Sequence, residues 1–252
     1  GGGATNDDRG AAFVMRNGVE ILGGFPATGS PGLAQRNWTA NPTILSGDIG
    51  TAGYNDDNSR HVVFNNANGL NATAILDGFT IADGRADGEG FYDRRGGGMH
   101  NRSSSPNIRN CTFLENRAIS GCGMYNESAS PTVTNCLFSS NSTLVFGTGG
   151  GMFNIDGASP MLSNCVFNGN TADTGGGLSN EGCSPTVVNC VFSGNTASLG
   201  SGMNNNAASP TVVNCSFSSN SAGAGGALRN DYNSFPMLSN CIIWGNSDGI
   251  SN

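Results

Sequence analysis

Six times between residues 96 and 246 the chain runs through one unit of roughly 25 residues, and nothing else in it narrows the fold as much. Each unit has a Gly-rich start, a Met or Leu, an Asn, an aliphatic residue, Asn-Cys, an aromatic or Ile, and a closing Asn. The Asn-Cys pairs set the register: Asn110-Cys111, Asn135-Cys136, Asn164-Cys165, Asn189-Cys190, Asn214-Cys215 and Asn240-Cys241. Successive cysteines lie 25, 29, 25, 25 and 26 residues apart. A unit of this size cannot bury its apolar side alone, so tandem copies must stack and share a core. That is a solenoid.

Aligning the units separates restricted slots from free ones. Ile108, Val133, Leu162, Val187, Val212 and Leu238 are always aliphatic, whereas the next slot (Arg109, Thr134, Ser163, Val188, Val213, Ser239) is not. Beyond Asn-Cys, Thr112, Leu137, Val166, Val191, Ser216 and Ile242 vary, and Phe113, Phe138, Phe167, Phe192, Phe217 and Ile243 are large and apolar. Alternation of this kind marks strands with one buried face. It breaks at Asn-Cys, which reads as a bend with Asn in the left-handed conformation it tolerates. A third strand follows from Met99, Met124, Met152, Leu178, Met203 and Leu228. The expected fold is therefore all-β: a parallel β-helix with about 25 residues and three short strands per rung, right-handed by the rule for parallel crossovers. The density of Gly, Asn, Ser and Pro excludes a helical repeat.

Stacking also predicts what the columns do. Three Asn columns, led by Asn101, Asn110 and Asn116, should face inward at turns and bond to their stacked copies. Burial would then keep most Asn-X-Ser/Thr matches, such as Asn110-Cys111-Thr112, from accepting a glycan, leaving Asn37-Trp38-Thr39 the most accessible. The six cysteines in one slot should pack as small apolar residues with free thiols. Their side chains point the same way at about 4.8 Å spacing and do not converge as a disulfide requires. Cys122 and Cys183 take slots held by Gly or Ala elsewhere and read as small buried or turn residues.

Gly is abundant, at 40 residues, but falls at fixed places between spaced apolar residues, which favours order. A net charge of −7 argues against nucleic acid as a partner. No apolar run approaches the roughly 18 residues of a membrane span. No charged-then-apolar segment opens the chain, so no secretion signal is expected within it. Residues 1–95 look like irregular rungs of the same solenoid. Strand-like stretches at Ala12–Met15, Val19–Leu22, Thr43–Leu45, His61–Phe64 and Ala74–Ile81 are separated by polar loops near residues 26–42, 50–60 and 83–96. We expect one domain over residues 1–252, irregular to 95 and regular from 96.

Paired motifs, Phe113-Leu114-Glu115-Asn116, Phe192-Ser193-Gly194-Asn195 and Phe217-Ser218-Ser219-Asn220 with Gly225-Gly226-Ala227-Leu228, resemble the repeats of chlamydial polymorphic outer-membrane proteins. Ile44–Ile49 followed by Leu76–Ile81 is similar to the opening segment of secreted bacterial right-handed β-helix repeat proteins. The resemblance implies an exported, surface-associated bacterial protein, some relatives being adhesins.

Catalytic β-helices set carboxylates, with Arg or Lys, on an outward sheet face. Here the row expected to face outward beside the methionines is His100, Tyr125, Phe153, Ser179, Asn204 and Arg229, with no acid. Another outward row (Leu137, Val166, Val191, Ile242) is mildly apolar and suits a packing or partner surface. Acids gather instead in loops: Asp7 and Asp8; Asp48, Asp56 and Asp57; Asp83, Asp87, Glu89 and Asp93. The last four are weak candidates for Ca²⁺, the one cofactor considered, with solvated loop acids the simpler reading. Arg94 and Arg95 read as surface ion-pairing residues, and His61 and His100 as too isolated for a metal pair. The expectation is a non-catalytic, secreted or cell-surface structural or adhesive element (stalk, filament segment or adhesin module), with protein or glycan partners. Its last rung, Ile242-Ile243-Trp244, has no polar cap, so the solenoid should continue or associate end-on. The alternative is a carbohydrate-binding or polysaccharide lyase or hydrolase type of β-helix with Ca²⁺ in the acidic loops.

Overall fold

The computed structural model describes residues 8–252, so Asp7 lies outside the described residues. Three eight-stranded, all-parallel sheets run along one coil, and the chain visits them in fixed order. The methionine sheet extends from Val63–Asn66 through Met99–Arg102, Met124–Glu127 and onward to Ile250–Ser251. Next comes the valine sheet, from Glu20–Leu22 and Ile75–Asp77 to Met237–Ser239. The phenylalanine sheet, from Thr43–Ser46 and Phe79–Ala82 to Ile242–Trp244, completes the turn. Equivalent positions pair without slippage: Met124 with Met99 and Met152, Val187 with Leu162 and Val212, Phe192 with Phe167 and Phe217. This is a parallel β-helix. Residues before 96 contribute strands to all three sheets, so the irregular rungs stack on the regular ones.

A fourth wall was not foreseen. Arg85–Ala86, Arg117–Ser120 and Ser142–Thr148 form a short parallel sheet between the phenylalanine and methionine sheets. It continues as single bridges through Thr171, Thr196 and Ser221, and through Thr174, Leu199 and Ala224. Small residues hold it close to the coil, with Ala86, Ala118 and Cys122 forming a separate buried cluster.

Parallel register hands each side chain a copy of itself one strand spacing away. Phe113, Phe138, Phe167, Phe192 and Phe217 are fully buried, with successive ring centroids 4.6, 4.7, 4.8 and 4.7 Å apart and planes within 5°. That is the inter-strand distance of about 4.8 Å, so the backbone sets the stack. The column cysteines are all free, and all but Cys241 are buried. Burial, then the neighbouring thiols, pushes Cys136 well above the usual thiol range, so it stays protonated.

Two Asn columns bear out the inward reading. In the first, each Nδ2 donates to the next Oδ1 at 2.8–2.9 Å, from Asn65 through Asn101, Asn126, Asn154, Asn180, Asn205 and Asn230 to Asn252. The ladder thus runs beyond the six repeats at both ends. In the second, Asn116, Asn141, Asn170, Asn195, Asn220 and Asn246 also donate Nδ2 to the phenylalanine or Ile81 carbonyl of the rung before. No amide of these two columns leaves a buried side-chain nitrogen or oxygen without a partner, as burial demands.

The third column corrects the expectation. Asn110, Asn135, Asn164, Asn189, Asn214 and Asn240 do adopt φ of 52–55° at the bend, but from Asn135 onward they are exposed and Asn110 is only half-buried. The valine-slot residue and the Cys both point inward, so the left-handed residue between must point out. Burial therefore does not shield Asn110-Cys111-Thr112. Glycine is required at another corner: a Cβ on Gly121 would stand 2.7 Å from the Met124 carbonyl oxygen and 2.8 Å from the Tyr125 Cα.

Truncating Phe192 to Ala removes one ring from the middle of the stack and should cost about 3–5 kcal/mol. Urea unfolding of the variant checks this, and a change within error would mean the ring is not buried.

Candidate functional sites

The glycine corner explains the main departure at the outer surface. His100, Tyr125, Phe153, Ser179 and Asn204 do face away from the main core, but all are buried and Arg229 is half-buried. Each is covered by the glycine bend leading into its own strand: a Cβ on Gly96, Gly121, Gly149, Gly175, Gly200 or Gly225 would strike it. The row is therefore not an open binding face.

Near the amino-terminal rungs this covered row becomes an aromatic corner. His61 stacks on Phe64 at 4.6 Å, and His100 lies 5.0 Å from Phe64, 5.1 Å from Tyr125 and 5.7 Å from Tyr92. The two histidines, read from the sequence as isolated, have ring centroids 5.6 Å apart. Their approach depends on the register of the irregular rung, Phe64 opposite His100, which only the strand pairing reveals. His61 Nδ1 lies 3.1 Å from the Gly96 carbonyl oxygen and His100 Nδ1 3.2 Å from that of Arg95. Burial pulls both imidazoles below their ordinary value, and His100, under the added field of His61, to about 3. Both are neutral at pH 7.

The four Ca²⁺ candidates do not converge. Asp83 accepts a bond from Ser46 at 3.2 Å; burial raises its pKa, with Glu115 and Asp48 adding to the effect. Asp87 is held by Arg9 and Arg85, and Asp93 lies 3.7 Å from Arg60. Glu89 is exposed. Among the described residues no group of three His, Cys, Asp or Glu is placed to hold a metal. Asp56 pairs with Arg85 at 2.9 Å, while Asp48 and Asp57 accept backbone N–H bonds from Gly53 and Thr51; Asp8 is exposed. Arg94 donates to the Gly88 carbonyl at 2.8 Å. Arg95 is more than a surface ion-pairing residue: it reaches the Tyr125 hydroxyl at 2.5 Å and Glu127 at 3.5 Å, and sits over Phe91. These acids and arginines mainly pin loops to the coil.

A second feature lies where the valine and phenylalanine sheets meet. A groove of about 470 Å³ is bounded by Trp38, Thr39, Thr112, Leu137, Val166 and the outward amides of Asn110, Asn135 and Asn164. Along this edge Asn135 donates to Asn110 at 3.3 Å, Asn189 to Asn164 and Asn214 to Asn189 at 3.2 Å. No such bond joins Asn164 to Asn135, so the ladder is interrupted inside the groove, at the 29-residue repeat.

Trp38 owes its place to Asp77. The buried Asp77 carboxylate accepts bonds from Arg36, from Arg109 at 2.6 Å and from Asn110 at 2.8 Å. Arg36 also bonds to the Gly23 and Asp77 carbonyls and lies over the Trp38 ring. Burial alone would raise the Asp77 pKa, but Arg36, Asn110 and Arg109 outweigh it and hold it below 3.8. Nothing in the sequence marked Asp77, since its partners come from the loop and the next rung.

Comparison with known proteins finds no matching family model, no matching curated protein and no matching solved structure.

A folded-state pKa below the unfolded one contributes stability above the unfolded value, lost as pH falls through the folded value. Asp77→Asn should therefore cost about 3 kcal/mol at pH 7, because two guanidiniums lose their counter-charge. The difference should shrink below about pH 4, as the wild-type carboxyl protonates. Denaturant titrations across that range, followed by tryptophan fluorescence, check both points; a pH-independent difference would contradict the ion-pair account.

Proposed function

We propose that the chain is a non-catalytic β-helix acting as a stiff structural or adhesive element in a secreted or cell-surface setting. The observation that carries this reading is the unbroken Asn65–Asn252 ladder, which builds length by repeating one bond from rung to rung. Stiffness follows because each rung's buried amides are satisfied only by the rungs beside it. Engagement of Asp77, Asp87, Glu127 and Asp231 by arginines supports the non-catalytic part.

End-on contact is the natural mode of association. In the last rung Met237, Ile242 and Trp244 are 66, 67 and 75% exposed, and Leu238 and Ile243, whose counterparts are sealed, are only partly buried. Strand edges there present unpaired backbone groups that another rung would satisfy, from further chain or a second copy. The 252-residue chain should sediment as a concentration-dependent oligomer, and Ile242→Lys with Trp244→Lys should return it to monomer. A compact monomer at every concentration would remove this part of the reading.

The Trp38 groove favours a second reading, glycan binding. An exposed indole beside outward amides offers a sugar ring a stacking face and its hydroxyls both donors and acceptors. Neutral oligosaccharides should shift Trp38 fluorescence in wild type and not in Trp38→Ala. Absence of any shift across a glycan panel would discard it, and unsaturated product from a uronate polymer with Ca²⁺ would overturn the non-catalytic reading.

A further inference from the structure

We propose that the cavity between the loop of residues 87–95 and the fourth wall binds a free apolar α-amino acid, its carboxylate on Arg94 and its ammonium on Glu89. This goes beyond the scaffold reading and does not depend on it.

The charge inventory is the first argument. All eleven basic residues are arginines, and eight of them, from Arg9 to Arg229, lie within ion-pairing distance of a carboxylate. Arg94 has no such partner among the described residues. It lines a cavity of about 390 Å³ together with Glu89, a carboxylate that no arginine engages among those residues. Two opposite charges thus border one space without pairing to each other. A zwitterion, which carries both charges itself, would bridge them.

The walls are fixed before a ligand arrives. Arg94 Nε donates to the Gly88 carbonyl at 2.8 Å, which leaves its two Nη groups as a fork for a carboxylate. Bonds of 3.1 Å from the Gly88 N–H to the Asp93 carbonyl, and from the Asp93 N–H to that of Gly90, close the loop on either side of Glu89. Phe91 is backed by Arg95, whose guanidinium carbon lies 3.6 Å from the ring centroid and whose Nη1 is tied to the Tyr125 hydroxyl. The ring is still 61% exposed. A site held in this way loses little freedom on binding.

Size and polarity select the ligand. A volume of about 390 Å³ falls in the range of small-molecule sites, about 300–1,000 Å³. Phe91 and the half-buried Ile119, at the end of the Arg117–Ser120 strand, offer an apolar side chain a surface to cover. A ligand with a carboxylate alone would satisfy Arg94 and be repelled by Glu89; an amine alone would meet the reverse. An apolar α-amino acid answers both charges and covers the apolar wall.

Calorimetric titration of the 252-residue chain with L-phenylalanine and L-leucine should show a single saturable site. N-acetylphenylalanine and phenylalaninamide each lack one of the two charges and should bind about 10-fold more weakly. Arg94→Gln and Glu89→Gln should each weaken phenylalanine binding about 10-fold with the circular dichroism unchanged, and Trp38→Ala should bind as wild type does. No saturable uptake of either amino acid, equal binding of the blocked derivatives, uptake that survives in the Arg94→Gln, Glu89→Gln double variant, or loss of binding in Trp38→Ala would each overturn the proposal. The blocked ligands are tested on the wild-type chain, so they decide it even where a substitution disturbs the loop.

Discussion

Everything in this molecule rests on the amide ladder, in which each buried Asn bonds to its copy in the adjoining rung. A primary amide has two donors and two acceptor sites, and inside a coil walled mainly by strands of three or four residues few other groups can meet them. Repetition supplies the answer, because the residue that creates the demand also fills it. The second column goes further: each Oδ1 accepts both the backbone N–H and the Nδ2 of the preceding Asn, as between Asn116 and Asn141. Phenylalanine and cysteine columns then pack at a spacing the backbone has already set. Register is thereby specified by polar groups and exploited by apolar ones, since a slip would leave every amide unpaired.

Much of this was legible because a repeat writes its own alignment. Phe192 and Cys190 could be assigned inward from their equivalents alone, and Asn189 could be placed in a left-handed bend by the break in alternation. Which way Asn189 points could not, because a bend between two inward residues reverses the expected face. The fourth wall escaped for a different reason. Its slots are two-residue ladders, as at Arg117-Ala118, or single bridges, as at Thr171, and carry no strong apolar period. The covered row from His100 to Asn204 shows the limit of two-state reasoning about strands, in which a side chain facing away from the core is assigned to solvent. Here a second layer of chain, admitted by glycine, lies over it.

The irregular rungs hide more. Asn65 and Asn101 are stacked partners 36 residues apart, so no constant spacing reveals that His61, Phe64 and His100 share a corner. Charge obeys the same geometry. Acids that cluster in sequence disperse in space toward Arg9, Arg60 and Arg85, whereas Asp77, unremarked in sequence, gathers Arg36, Arg109 and Asn110. Loop electrostatics in this coil are set by which rung a loop returns to.

The longest spacing, 29 residues, has its own lesson. Three of the extra residues bulge out in Ser142–Thr148, where Phe146 is 91% exposed, and one more sits near Asp156-Gly157. Even so, Asn126 still reaches Asn154 at 2.8 Å and Asn141 reaches Asn170 at 2.9 Å. The corner absorbs the added length and the interior never senses it. Corners of such a coil are thus independent compartments for variation, where new surface can be grafted one rung at a time while the stacked interior stays under the same rules.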